Sequence, residues 1–153
     1  MMKIIPVLEK KKQYLHLLLL ADEQESMIDR YLDAGDMFLC LDPEPVGVCV
    51  VVELGDGVFE IKNIATDPAF QGNGYGRALI EFVMEHYSGR CKKMLVGTGD
   101  SPLTVPFYEK CGFVKSHYIK NFFVDNYDHP IYELGVQLVD MVYLSRECKE
   151  DIQ

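Results

Sequence analysis

Between positions 58 and 87 a strand-like apolar run breaks into "QGNGYG" and continues at once as an amphipathic helical pattern. Gly72, Gly74 and Gly76 fall within five residues, and each removes a β-carbon that would hold a ligand off the backbone. The first-turn N–H groups of the helix that follows have no partner within it, and the helix dipole makes that end partly positive. Strand, glycine loop and helix N-terminus, in that order, suit a phosphate or pyrophosphate. Two familiar phosphate loops are excluded. No GxxxxGK run followed by Ser or Thr is present, and the GxGxG here stands mid-chain after a long hairpin region, not as GxGxxG after a first strand. On the loop alone, a glycine-rich turn without a ligand stays open.

The flanks set the architecture. Residues 3–8, with Pro6, read as a short edge strand. Helical segments follow at about 10–21 and 23–34, the second capped by Gly35. Strands at 37–41 and 46–54 flank "DPEP", and "GDG" at 55–57 turns into a strand over about 58–66. A helix over about 74–87 would bury Leu79, Phe82, Val83 and His86. Strand 92–98 comes next, then a helix opened by Ser101 and Pro102 and closed at Gly112, in which Pro106 suggests a kink. "FVKSHYI" and "LVDMVYL" (138–144) are the last strands, ahead of a polar tail "SRECKEDIQ". This order predicts an α/β (α+β) fold: a mixed, mostly antiparallel sheet of about six to seven strands with helices on both faces.

A chain of 153 residues makes one domain, 1–153, with no linker or repeat to divide it. The net charge of −9 argues against a nucleic-acid partner, which needs a basic face, and tends toward cationic ones. The run Tyr14–Ala21 is too short to span a bilayer and lacks a cleavage site, so neither a membrane nor export is expected. The five cysteines, Cys40, Cys49, Cys91, Cys111 and Cys148, are odd in number and form no CxxC, which reads as reduced thiols in a cytoplasmic protein. The histidines also stand alone, so no metal is expected.

Read with its flanks, the loop is Gln71-x-x-Gly74-x-Gly76 after "IATDPAF", followed some thirty residues on by "FYEKCGF". This pair resembles the acetyl-CoA-binding core of the GNAT N-acetyltransferase family, over about residues 37–144, and the later "GTGDS…KNFF…DMVYL" looks like a small bacterial branch of it. The resemblance implies acetyl-CoA as co-substrate. It implies that the backbone of Gln71, Gly72, Asn73, Gly74, Tyr75 and Gly76, with Arg77 beside it, holds the pyrophosphate. Ile64, Ala65 and Thr66 would pair with pantetheine as if with an added strand, and a backbone N–H there would face the oxyanion.

Tyr108 takes the position of the family tyrosine that protonates the departing thiolate, with its hydroxyl expected at the surface; a ring merely packed beneath Phe113 is the alternative. Glu60, eleven positions before Gln71, matches the base of some relatives. Strict alternation would put Glu60, Lys62 and Ile64 on one face of the strand, and a Glu60–Lys62 pair is the alternative role. Where many relatives carry asparagine before the last helix, this chain has Asp100 and Ser101, which leaves Ser101 as a candidate cofactor contact.

The acetyl-CoA core would then span about 37–117, with acceptor-binding elements at about 10–34 and 118–132. Asp22, Glu23, Glu25 and Asp29 in the first, and the five aromatics Tyr118, Phe122, Phe123, Tyr127 and Tyr132 in the second, would suit a cationic amine. The expected reaction is direct acetyl transfer to a small primary amine such as a polyamine, amino sugar or amino acid. A non-catalytic acyl-CoA module and acetylation of a protein N-terminus or lysine are the alternatives, and a homodimer is left open.

Overall fold

The structure is a computed structural model, and it describes residues 1–148. Most of the polar tail, 149–153, lies outside the described residues. Seven strands form one sheet: β1 (Lys3–Val7), β2 (Asp36–Leu41), β3 (Pro45–Gly55), β4 (Val58–Thr66), β5 (Lys93–Gly99), β6 (Val114–Ile119) and, last in the chain, β9 (Met141–Glu147), in spatial order β1-β2-β3-β4-β5-β9-β6. Every neighbouring pair is antiparallel except β4–β5. That pair is parallel because its connection is a crossover through α3 (Tyr75–His86). The remaining helices are α1 (Leu15–Ala21), α2 (Glu25–Ile28), α4 (Val105–Lys110) and α5 (Phe122–Asn126); β7 (Tyr132–Glu133) and β8 (Val136–Gln137) make a separate small hairpin.

Both faces of the sheet are covered, so β2 and β3 read as continuous apolar runs. Under α3, Leu79, Ile80, Val83, Met84 and Tyr87 pack on Phe59, Met94, Val96 and Leu144. Under α1 and α2, Leu17, Leu18, Ile28 and Tyr31 pack on Met37, Leu39, Val48 and Val50. Each such side chain contributes roughly 1.5–3 kcal/mol by leaving water. A third, small cluster of Phe123, Ile131 and Leu138 sits under the chain between β6 and β9.

Several expectations need correction. The stripe of α3 runs through Ile80, Met84 and Tyr87, so His86 is exposed. The segment expected at 23–34 is α2 plus turns, and Gly35 is no left-handed cap: a β-carbon there would stand 2.8 Å from Val50 Cγ1, so close approach demands the glycine. The last strand starts at Met141 because Leu138 is buried in the small cluster and not in the sheet. Pro106 lies in the first turn of α4, where no N–H is needed, and causes no kink. Cys91 and Cys148 form a disulfide, against the expectation of five thiols. The pairing of Lys93 with Glu147 brings the two ends together, and Cys148 N–H donates to Lys92 O at 3.0 Å. Cys40, Cys49 and Cys111 are free and buried.

Candidate active site

The site begins where β4 loses a neighbour. Its pairing with β5 runs from Val58–Lys93 to Ile61–Val96 and stops, while β5 continues to Gly99 against β9. Backbone groups of β4 beyond Ile61 therefore lack a β5 partner. A cavity of about 410 Å³ opens into this gap. Lys62 to Thr66 from β4, Gly97 to Gly99 from β5, and Thr104 and Tyr108 from the α4 side form part of its wall.

A bulge shapes β4 at this point. Val50 faces Asn63 but Val51 faces Ile61, so Lys62 is an extra residue with no partner on β3. Strict alternation fails there. Phe59, Ile61 and Ile64 pack in the cluster under α3, whereas Ala65 joins the cluster under α1. Asn63 follows Ala65: its Nδ2 donates to Leu18 O at 3.0 Å and to Tyr31 Oη at 3.1 Å.

At one end of the gap stands the glycine loop. Gly72 and Gly74 take φ of 84° and 83°, and nothing lies within 4 Å of where their β-carbons would be, so the conformation and the open space ask for glycine. Gly76 differs: its β-carbon would meet Phe107 Cζ at 3.1 Å, so it packs α3 against α4. Gly74 caps α3 without a side-chain bond, leaving the first-turn N–H groups outward. Gln71 is in the cavity wall, its Nε2 donating to Thr66 O at 3.4 Å; Asn73 Nδ2 donates to Phe70 O at 2.9 Å. Arg77 is exposed on the first turn of α3. Ser101 is buried, outside the cavity wall, and its Oγ accepts from Leu103 N–H at 3.1 Å.

Tyr108 is 7% exposed, not surface-directed as expected. Its ring packs edge-on to Phe107 and Phe113, and it also forms part of the cavity wall. Burial, then neighbouring Cys49, Cys111 and Glu133, push its phenol well above the ordinary range. Thr98 Oγ1 donates to Thr104 Oγ1 at 2.8 Å, tying the start of α4 to β5. Glu60 is also buried but lies outside the cavity wall: Tyr143 Oη donates to it at 2.8 Å, and Lys62 Nζ stands at 3.3 Å.

The opposite wall comes from the end of α1 and from the chain after β6. Asp22 accepts from Tyr127 Oη at 2.7 Å and Tyr31 Oη at 3.2 Å; burial raises its carboxyl above the ordinary range, partly offset by those bonds. Glu23 pairs with His129 Nε2 at 2.9 Å. Glu133 completes the wall beside Ile131 and Tyr132. The sequence reading missed Asn63 and Glu133. Glu60, Lys62 and Thr66 also interrupt β4, so the sequence does not single out the first; a two-residue strand leaves no periodicity to signal the second.

Comparison with known proteins decides the family. The acetyltransferase (GNAT) family model matches residues 7–113. This chain belongs to the GNAT family. An uncharacterised N-acetyltransferase of Bacillus subtilis, YvbK, is 34% identical over 143 residues, covering 89% of this chain and 90% of that protein. A GNAT acetyltransferase from Elizabethkingia anophelis with acetyl-CoA bound superposes with a TM-score of 0.90 at 36% identity, over 95% of this chain and 97% of the other. A Bacillus subtilis acetyltransferase in complex with CoA superposes with a TM-score of 0.84 at 31% identity, over 96% and 99%. The protein is thus an acetyl-CoA-dependent N-acetyltransferase of GNAT fold. No helix among the described residues is long and apolar enough to cross a membrane.

Proposed function

We propose that this single-domain enzyme, 1–153, acetylates a primary amine on a small molecule by direct attack within a ternary complex. One observation carries the reading: a single cavity runs from the unpaired edge of β4 to a wall bearing Asp22, Glu23 and Glu133. In this reading the pantetheine arm pairs with Ile64, Ala65 and Thr66 as a short added strand. The pyrophosphate rests on the backbone from Gln71 to Gly76 with Arg77 beside it. The thioester then meets Tyr108, which protonates the departing thiolate.

Burial raises the phenol, but it raises a thiol confined in the same cavity for the same reason, so the two stay comparable. Ser101 is assigned to the turn before α4, since its oxygen already serves Leu103, and not to the cofactor. Glu60 acts at one remove: its carboxylate fixes Lys62, which reaches the cavity. The acidic wall supports a cationic acceptor, and we place the enzyme in the cytoplasm.

The test is thiol release from acetyl-CoA with a panel of a polyamine, an amino sugar, an amino acid and a lysine peptide. Turnover with at least one small amine is expected. Turnover with the peptide alone would move the assignment to protein acetylation.

A further inference from the structure

Two buried side-chain atoms among the described residues have no hydrogen-bond partner: Asn63 Oδ1 and Glu133 Oε2. Both residues lie in the wall of the one cavity that also holds Tyr108. Both atoms are acceptors. A buried acceptor left empty is costly, and more so if charged, so two in one cavity ask for a ligand rich in N–H donors.

The orientation of Asn63 is set by its surroundings. Leu18 O can only accept, so the amide nitrogen must face it, and Oδ1 is turned elsewhere. Asn63 is 3% exposed, and neither its place in β4 nor its bonds to Leu18 and Tyr31 use that oxygen. The other two carboxylates of the wall are already served. Asp22 accepts from two tyrosines, and Glu23 is paired with His129. Glu133 keeps an unused buried oxygen.

Resting on the reading above, we propose that Glu133 is the residue that meets the acceptor amine and takes its proton, with Asn63 as the second acceptor that orients it. A protonated primary amine offers three N–H donors, enough for both oxygens. Transfer of one proton to Glu133 Oε2 leaves a neutral amine whose lone pair attacks the thioester carbon. The tetrahedral intermediate collapses with cleavage of the C–S bond, and Tyr108 gives its proton to the sulfur. The second N–H proton lost on forming the amide returns to the phenolate, and Glu133 releases its proton to water. The sum is amide, free thiol and one proton. Glu133 and Tyr108 line the same cavity, which places base and acid together. The other charged or titratable groups of the wall are Lys62 from β4, Asp22 and Glu23 from the end of α1, and Tyr127 and Tyr132 from the facing chain.

Glu133→Gln keeps the shape and deletes the base. With acetyl-CoA affinity retained by calorimetry, kcat/KM for alkyl amines should fall about 10²- to 10⁴-fold. An aromatic amine, neutral at pH 7, needs no such base before attack and should lose much less. In Glu133→Ala, added formate should restore part of the alkyl-amine rate. Equal losses for both amine types, or wild-type kcat/KM in Glu133→Gln, would overturn the assignment. If Glu133→Gln fails to fold, absence of formate rescue in a folded Glu133→Ala decides against it. A wild-type enzyme that accepts no small amine would instead overturn the acceptor class proposed above.

Discussion

Tyr108 serves the core and the cavity with one side chain. Its ring belongs to the cluster under α3, while its hydroxyl finds no partner among the described residues, so Tyr108→Phe should separate the two roles. We expect a nearly unchanged melting temperature and acetyl-CoA affinity, with kcat down on the order of 10²-fold. An acetyl donor with a more acidic thiol should recover part of that rate; equal slowing of good and poor leaving groups would mean that the hydroxyl is not the acid. At this scale the sequence was legible wherever a residue type has one strong physical use. Gly72 and Gly74 are such cases. Gly76 was less so, because its reason is a ring from another helix. The surroundings of Glu60 were hidden for a similar cause: its distance from Gln71 is visible in the sequence, but Tyr143, which holds it, is 83 residues away.

Among the elements, the wall opposite β4 is the least tied to the main core. The chain from α5 to β8 has its own small cluster and reaches α1 and α2 through polar bonds: Tyr127 to Asp22, Asp128 N–H to Gln24 at 3.1 Å, and His129 to Glu23. Bonds to Asp128 and Glu23 raise the His129 pKa above its ordinary value. The charged pair therefore contributes fully below the ordinary histidine range and is lost as pH rises through the raised folded value. Hydrogen exchange, corrected for its intrinsic pH dependence, should show protection of residues 127–133 falling over that rise. His129→Gln should flatten the trend, and a trend that persists in this variant would locate the switch elsewhere. Strand boundaries on both sides of the glycine loop were readable because their apolar runs end in turn residues. The short hairpin was not, since two residues per strand carry no alternation to read.

For the whole molecule, the Cys91–Cys148 disulfide joins the end of β9 to the entry of β5 across 57 positions. Closing a loop of that length limits the unfolded chain and contributes about 2–4 kcal/mol. Denatured without reductant, the protein should expose three reactive thiols, and five after reduction. Cys148→Ser should lower the melting temperature, and five thiols in the unreduced protein would show the bond to be absent. Counting cysteines could not reveal this bond, because its partners meet only through sheet register. The family fold itself was legible, since element order and the loop motif both lie in short segments.

The bulge at Lys62 gives β4 two counting frames. Residues before it and residues after it obey alternation separately, each offset by one position from the other. Regular alternation counted through Lys62 would send Asn63 and Ala65 toward α3 and Ile64 toward α1, whereas the bulge takes Lys62 out of the count and keeps each on its present face. Without the bulge every side chain of β4 would still be present, yet the cavity would face a different set of them. In this sheet, which residues face the cavity depends on arithmetic along the strand as much as on their chemistry, so the placement of one bulge can redraw the site where substitutions only retouch it.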